Sequence, residues 1–247
     1  MKSLEIRPTE LVIPTRDFTP FPDTPNEYLM THRTRATRLI ALKGNNRGSF
    51  IGALTAWING RWQAIVFESR HELMTAYILL ANPRLDDLWD QAERVGFWGA
   101  DGKWHHHTFD YLATIDGKKH AVACKLESST ERLEFRTTLG LIAHQNGHFA
   151  DEVVLVTENA FSREWALECE LRHFIGSEID DETDAVVLPI LASIERSMTI
   201  RDIVATSGRK GKAWRSIVRL IQKGYAQTVP GTRIDDYDTL IVRGARS

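Results

Sequence analysis

Alternating apolar and polar residues in the first half of the chain predict several short β-strands. Ser49–Trp57 and Arg61–Phe67 are rich in β-branched and aromatic side chains, and they flank the dipeptide Asn59-Gly60. This dipeptide tolerates the positive φ angles of a tight type I′ turn, so the two runs predict a β-hairpin. Further strand-like runs are separated by Asp-Gly turns at 101–102 and 116–117; these runs are Gln91–Trp98, Trp104–Thr114 and Lys118–Leu126.

Apolar residues at helical spacing occur between and after these strands. Ser69 can cap a helix, and Glu72, three residues later, can return the capping hydrogen bond. Leu73, Tyr77 and Leu80 would form the apolar face of that helix. We also expect a short connection containing Leu85, Leu88 and Trp89, helices over Ser129–His144 and Ser162–Phe174, and a strand over Glu152–Thr157. Strands and helices mixed in this order indicate an α/β core in which helices cover a sheet.

The last quarter of the chain has a different pattern, in which three helices precede a terminal hairpin. The predicted helices are Ala185–Ser197, Thr199–Ser207 and Lys212–Gly224, and the predicted strands are Tyr225–Val229 and Thr239–Arg243. Three helices followed by a β-ribbon match the winged-helix plan. The third helix carries the residues expected to bind DNA, which are Lys210, Lys212, Arg215, Arg219 and Lys223. A helical module that dimerises or docks a partner protein is the alternative.

Charge divides the chain into regions. The whole chain of 247 residues has a net charge of −2, which argues against a protein coated entirely by nucleic acid. Thr31–Arg61 has six basic residues and no acidic residue, and Arg196–Ser247 has eleven basic against four acidic residues, so either stretch could face phosphate. We expect an extended arm over residues 1–47, a core domain over 48–176, a solvated acidic linker over 177–184 and a second domain over 185–247.

Composition and hydropathy place the chain among ordinary globular proteins. Hydrophobic residues make up 43% of the chain and charged residues 26%. No run of 18 apolar residues occurs, and the first residues lack an apolar leader, so we expect a cytoplasmic protein with no membrane span. The two cysteines, Cys124 and Cys169, are too few for a disulfide framework.

Charged residues on neighbouring predicted elements suggest a site. Glu72 lies at the start of a helix, and Asp110 and Lys125 lie on two strands joined by a tight turn, so the three side chains would meet at one rim of the sheet. Buried charge is costly unless it is paired or binds a metal. Carboxylates can hold Mg²⁺, the metal can lower the pKa of a water molecule, and a lysine can stabilise negative charge. This chemistry is that of metal-dependent phosphodiester hydrolysis.

Two neighbouring features leave alternatives open. Glu68, one helical turn before Glu72, is either an outer ligand of the same metal or a residue that favours the positive end of the helix. The histidines at 105–107 could supply nitrogen ligands to zinc, or they could form a polar strand edge that contacts phosphate.

Four short motifs follow one another in a fixed order, namely Phe67-Glu68-Ser69-x-x-Glu72, Thr108-Phe109-Asp110-Tyr111, Ala121-Val122-Ala123-Cys124-Lys125 and Val154-Leu155-Val156-Thr157-Glu158. In order and spacing they resemble the catalytic domain of the TnsA-type transposon endonucleases, which have the PD-(D/E)XK nuclease fold. The resemblance covers about residues 49–174. It implies a restriction-endonuclease-like mixed sheet flanked by helices, and a C-terminal winged-helix-like domain is also a feature of that family.

The resemblance implies a function and a set of site residues. Glu72 and Asp110 would bind Mg²⁺, with Mn²⁺ as a substitute, Lys125 would be catalytic, and the backbone carbonyl of Cys124 is a further expected ligand. Enzymes of this family cut one DNA strand at the 5′ ends of a transposon, together with a DDE transposase subunit and an AAA+ ATPase regulator. The wider nuclease motif has Asp or Glu two residues before the lysine, and the TnsA family commonly has glutamine there. This chain has Ala123, which offers no ligand.

Two other functions are compatible with these residues. A non-catalytic DNA-binding or assembly factor on the same fold is suggested by Ala123 and by the acidic stretch Asp151–Glu195, which has twelve acidic against two basic residues. A stand-alone restriction or phage-defence nuclease would share the same core.

Overall fold

The computed structural model describes residues 34–37, 50–132, 134–229 and 232–244, and it is a mixed α/β structure. The arm expected over residues 1–47 therefore lies outside the described residues except for 34–37. In chain order, the first elements are β1 (Gly52–Ile58), β2 (Arg61–Phe67), α1 (Arg70–Leu80), β3 (Leu85–Asp90), β4 (Val95–Trp98), β5 (Trp104–His107), β6 (Tyr111–Ile115), β7 (Lys118–Cys124), α2 (Glu127–Arg132), α3 (Phe135–Gln145), β8 (Glu152–Val156) and α4 (Arg163–Gly176).

The first hairpin and the first helix form where the sequence predicts them. β1 and β2 pair in antiparallel fashion, and the turn residues Asn59 and Gly60 have φ angles of 50° and 73°. The Ser69 side chain accepts a hydrogen bond from the Glu72 N–H, so the predicted N-cap of α1 is confirmed.

A four-stranded sheet in the order β3-β6-β7-β8 forms the centre of the molecule. β3, β6 and β7 pair in antiparallel fashion, whereas β8 runs parallel to β7. The prediction of a connection at Leu85–Trp89 is wrong, because these residues belong to strand β3. Aspartates obscure the strand in the sequence, and they have structural partners: Asp87 pairs with Arg35 at 2.8 Å, and Asp90 accepts a hydrogen bond from the Val66 N–H at 2.9 Å.

The predicted single strand over Trp104–Thr114 is also wrong. Its first part is β5, which pairs with β4 in a separate two-stranded hairpin, and its last part is β6 of the central sheet. The chain bends between them because the Phe109 side chain turns into the core, where it is fully buried and stacks on Phe149. A similar interruption divides the predicted helix over Ser129–His144 into α2 and α3, next to Glu134, whose φ is 48°.

Apolar clusters cover both faces of the central sheet. Val122 and Cys124 of β7 pack on the side of α1 and α4. Ala121 and Ala123, which alternate with them, pack on the side of α3. This alternation places Lys125, the next residue on the α3 side, at the rim of the sheet.

The C-terminal elements have a hydrophobic cluster of their own. They are α5 (Asp181–Ala192), β9 (Met198–Thr199), α6 (Ile200–Ser207), α7 (Gly211–Gln222), β10 (Ala226–Thr228) and β11 (Leu240–Arg243). The strands form a small sheet in the order β10-β11-β9. No helix within the described ranges combines the length and the apolar character needed to cross a membrane.

The acidic run over residues 177–184 is not the solvated linker that its composition suggests. Asp180 is the N-cap of α5, and its carboxylate accepts a hydrogen bond from the Thr183 N–H at 3.1 Å. Asp184, in the first turn of α5, contacts Arg219 of α7 at 2.6 Å. Acidic side chains favour a helix N-terminus, and here the basic side of α7 balances their charge, so the run folds as part of the C-terminal structure.

Candidate functional site

An open cleft of about 850 Å³ lies where the end of β7, the bend before β6 and the start of α1 meet. Glu72, Asp110 and Lys125 all line this cleft, together with Glu68. The structure therefore brings together the residues that the sequence predicts at one rim. Further lining residues come from the segment before the core, from the chain around β4 and from β5; they include Thr37, Arg94, His106 and His107.

Glu72 is held by the N-terminus of its own helix. Its Oε2 accepts a hydrogen bond from the Glu68 N–H at 2.7 Å, and its Oε1 accepts one from the Ser69 hydroxyl at 2.9 Å. The Tyr111 hydroxyl donates to the Glu72 carbonyl at 3.0 Å and ties this turn to β6. Each carboxylate oxygen has a second lone pair, so the cap fixes the carboxylate in place without using all its acceptor capacity.

Asp110 is anchored between two strands. Its backbone carbonyl accepts a hydrogen bond from the Gln91 N–H at 2.8 Å, and its Oδ2 accepts one from the Cys124 N–H at 2.7 Å. Burial raises the pKa of the Asp110 carboxyl from 3.8 to about 7, and the nearby negative charge of Glu72 adds to this effect. The hydrogen bond from Cys124 and the charge of Lys125 partly offset the increase.

Lys125 follows β7 directly and extends along the cleft. Its backbone N–H donates to the Val156 carbonyl at 3.1 Å, and its Nζ lies 5.7 Å from the centre of the Phe135 ring. Its positive charge partly offsets the raised pKa of Asp110, and it adds to the effect of burial in lowering the pKa of His107. The ammonium group is therefore a cation that lines the same cleft as Glu72 and Asp110.

Cys124 contributes its backbone to the site, and not its thiol. Its side chain is buried against α1, and burial raises the pKa of its thiol well above the ordinary value. A thiol of this kind is a poor nucleophile. The contribution that the structure shows is the N–H bond to Asp110.

The carboxylates that line the cleft suit Mg²⁺ better than Zn²⁺. Among the described residues, no group of three or more His, Cys, Asp or Glu side chains could hold a metal ion, as a structural zinc site requires. Mg²⁺ usually keeps several waters and takes only one or two protein carboxylates. Glu72 and Asp110 provide two carboxylates, and a bound cation would offset the burial and the negative charge of Glu72 that raise the pKa of Asp110.

The three histidines at 105–107 lie on β5, and their side chains alternate between the two faces of this strand. His105 pairs with Asp101 at 2.9 Å, and His106 is exposed. Burial, with the charge of Lys125, lowers the pKa of His107 to about 4, so its ring is neutral at physiological pH. The His107 ring packs edge-on against Phe109 at 4.6 Å. These contacts favour the interpretation of the run as a strand edge over that of a zinc site.

Gln91 is a residue of the site that sequence reasoning missed. It is 1% exposed and has a φ of 43°, and its backbone N–H donates to the Asp110 carbonyl at 2.8 Å. Its side chain is close enough to the Asp110 carboxyl to lower the pKa of that group slightly, against the larger effect of burial. Its backbone carbonyl accepts hydrogen bonds from the N–H and the hydroxyl of Thr37, at 3.1 Å and 3.0 Å. The sequence pattern places Gln91 at the start of the predicted strand Gln91–Trp98, whereas β4 begins at Val95, and that pattern does not indicate a contact with Asp110.

The structure divides the five basic residues expected to bind DNA into three groups: exposed, ion-paired and buried. Lys210 and Lys212 are exposed at the start of α7. Arg215 pairs with Glu178, and Lys223 pairs with Asp184 at 3.1 Å. Arg219 is a correction: its side chain is 1% exposed and is held by the acidic start of α5, so it cannot reach a phosphate on a bound duplex.

No protein-family model matches the chain, and no curated protein matches it at a significant level. Function is therefore inferred from the residues of the cleft, since a fold by itself does not specify an activity.

Proposed function

We propose that this protein is a Mg²⁺-dependent DNA endonuclease of the TnsA-like type, which hydrolyses a phosphodiester bond at the 5′ ends of a transposon. One observation carries the proposal: Glu72, Asp110 and the ammonium group of Lys125 line one open cleft, and the pKa of the Asp110 carboxyl is raised to about 7. Strongly perturbed acids beside a lysine in a cleft are typical of catalytic sites.

The residues would divide the chemistry among them. Glu72 and Asp110 would hold Mg²⁺, with Mn²⁺ as a substitute and the Cys124 carbonyl as a further ligand. The metal, when bound, lowers the pKa of a water molecule to generate a nucleophile near neutral pH. Lys125 would orient that water or stabilise the negative charge that develops on the phosphate. The products would carry 3′-hydroxyl and 5′-phosphate ends.

The architecture supports the same proposal. The core is a mixed sheet with helices on both faces, as expected of a restriction-endonuclease-like domain. The C-terminal order of helix, strand, helix, helix, strand, strand agrees with a winged-helix-like domain that binds DNA or a partner. A DDE transposase subunit and an AAA+ ATPase regulator are the partners that the resemblance implies.

Anomalous scattering from crystals soaked in millimolar Mn²⁺ tests the site without any partner protein. We expect a peak between the Glu72 and Asp110 carboxylates in the wild type and no peak in Asp110→Asn. Asp116→Asn is the matched control, because Asp116 lies in an exposed turn and pairs with Arg84. A wild-type crystal with an accessible cleft and no peak would contradict the proposal.

A second candidate is a non-catalytic DNA-binding or assembly factor, and one observation favours it. Ala123 occupies the position of the third acidic ligand of the wider motif, and it is fully buried against the α3 side of the sheet. Under this alternative, replacement of Lys210 and Lys212 by alanine would weaken DNA binding in the presence of EDTA, and Mn²⁺ would have no effect on any activity.

A further inference from the structure

The hairpin of β4 and β5 presents an aromatic face next to the cleft. Trp98 pairs with Trp104 across the two strands, and Gly96 pairs with His106 on the same face. We call Trp98, Trp104 and His106 the aromatic patch. The two tryptophans are 56% and 51% exposed, although tryptophan is usually well buried.

The rings of the patch have a defined arrangement. The Trp98 and Trp104 rings meet edge to face with centres 5.4 Å apart, and Trp104 meets His106 in the same manner at 6.0 Å. The Trp104 indole lies across Gly96, where an added Cβ would be 2.2 Å from the ring. Only glycine allows this close approach, so the sequence at Gly96 sets the position of the indole.

The hairpin is fixed to the core on its other face. Val95 and Phe97 point inward and join the apolar cluster of α3. The Gln145 side chain accepts a hydrogen bond from the Trp98 N–H at 2.8 Å and donates one to the Trp98 carbonyl at 3.0 Å. The hairpin that carries the aromatic patch is therefore fixed to the core. A ligand that binds the patch would cause little further loss of conformational freedom in the hairpin.

The patch is continuous with the cleft. His106 belongs to both, and Arg94, which immediately precedes β4, also lines the cleft. Lys103 is exposed beside Trp104, whereas the nearby Asp101 is engaged by His105 at 2.9 Å. The patch thus places exposed aromatic rings beside the exposed cation Lys103, and it borders the cleft that Asp110 and Lys125 line.

We propose that the aromatic patch stacks against unpaired bases of the DNA strand whose phosphate enters the cleft. This inference rests on the proposed function, and it adds that the substrate is locally unpaired near the cut. Aromatic side chains bind bases of any sequence because every base has a π-face, and each stacked base contributes about 1–3 kcal/mol. In an intact duplex those faces are covered by neighbouring base pairs, so only unpaired bases fit the patch.

The chain provides a matched control on another hairpin. Trp57 of β1 is 59% exposed and meets Trp62 edge to face at 5.6 Å, nearly the same arrangement as that of Trp98 and Trp104. Neither Trp57 nor Trp62 is among the described residues that line the cleft. Along the extended β2, Trp62 lies roughly 20 Å from Glu68.

Fluorescence anisotropy in EDTA tests the proposal with the full chain and two labelled DNAs: a fully paired duplex and the same duplex with a short central run of mismatched thymines. We expect the wild type to prefer the mismatched DNA, and Trp98→Ala to lose about tenfold in affinity for it. Affinity for the paired duplex should change less than twofold. Trp57→Ala should match the wild type, and Trp98→Phe, which keeps an aromatic face, should retain most of the affinity.

The possible results separate the two proposals. Equal affinities of Trp98→Ala and Trp57→Ala for the mismatched DNA would overturn the stacking inference and leave the proposed nuclease untouched. An equal loss on both DNAs would also overturn it, because the patch would then contact a duplex groove. If the wild type binds neither DNA and Mn²⁺ gives no anomalous peak, the proposed function fails as well.

Discussion

Asp110 lowers the stability of the metal-free protein at neutral pH. Its folded pKa is raised from 3.8 to about 7, so the folded state holds its proton over a range in which the unfolded state releases it. The stability that the protonated carboxyl contributes is full below about pH 4 and is lost as the pH rises through about 7.

Asp110→Asn should therefore stabilise the metal-free protein at pH 8 by on the order of 2–4 kcal/mol, and should change little at pH 4. Urea denaturation in EDTA at the two pH values measures this difference. A stability difference of the same size at both pH values would show that the charge of Asp110 is not the cause.

At the scale of single residues, the sequence predicts the charged members of the site better than the residues that hold them. The pattern predicts Glu72, Asp110 and Lys125 because a charged residue on a sheet is costly to bury unless it is paired or binds a metal. The pattern does not predict Gln91, because its contact with Asp110 depends on the pairing of β3 with β6, and the aspartates of β3 hide that strand in the sequence.

At the scale of elements, the N-terminus of α1 links helix stability to the site. The Ser69 hydroxyl accepts a hydrogen bond from the Glu72 N–H and donates one to Glu72 Oε1. Ser69→Ala should cost about 1 kcal/mol of stability, and it should weaken Mn²⁺ binding about tenfold because Glu72 loses its support.

Ser162→Ala is the control for this prediction, because Ser162 caps α4 by accepting from the Trp165 N–H and does not line the cleft. It should lose similar stability and bind Mn²⁺ as the wild type does. Calorimetric Mn²⁺ titrations and thermal melts of both variants separate the two effects. Equal metal affinities in the two variants would contradict a role for the Ser69 cap in the site.

Elements with strong local signals were predictable. The turns at Asn59-Gly60 and Asp116-Gly117 have the positive φ angles that their residue types favour, and the caps at Ser69 and Thr199 are present. The errors arose where a long-range contact overrides the local pattern. Trp104–Thr114 reads as one strand, but burial of Phe109 bends the chain between two sheets.

At the scale of the whole molecule, α7 joins the C-terminal elements to the core. The Gln222 side chain donates a hydrogen bond to the Leu80 carbonyl at the end of α1, and α7 packs on α4.

On its other side, α7 contacts the start of α5 through the ion pair between Arg219 and Asp184. Burial raises the pKa of Asp184, but hydrogen bonds from Arg219 and its neighbours outweigh this, and the net pKa is below the ordinary value.

Asp184→Asn should destabilise the protein by about 3 kcal/mol at pH 7, because it leaves the Arg219 charge buried and poorly compensated. Since the folded pKa of Asp184 is lowered, its contribution is present above the unfolded pKa and is lost as the pH falls below about 4. Glu182→Gln, which breaks the more exposed pair with Arg209, should cost less than about 1 kcal/mol. Chemical denaturation of both variants at pH 7 measures the difference, and equal losses would contradict a structural role for the buried pair.

The ion pairs between α5 and α7 also determine how ionic strength should affect contact with DNA. Each phosphate neutralised by a free cation releases about 0.9 of a counterion, and a cation already paired with a carboxylate releases little. Among the described residues, no ion pair engages Lys210 or Lys212, whereas Lys223 is paired. If α7 faces DNA, replacement of the two free lysines should reduce the slope of log K against log salt by about 2, and Lys223→Ala should leave it nearly unchanged. The acidic run would then limit the number of counterions that this helix can displace.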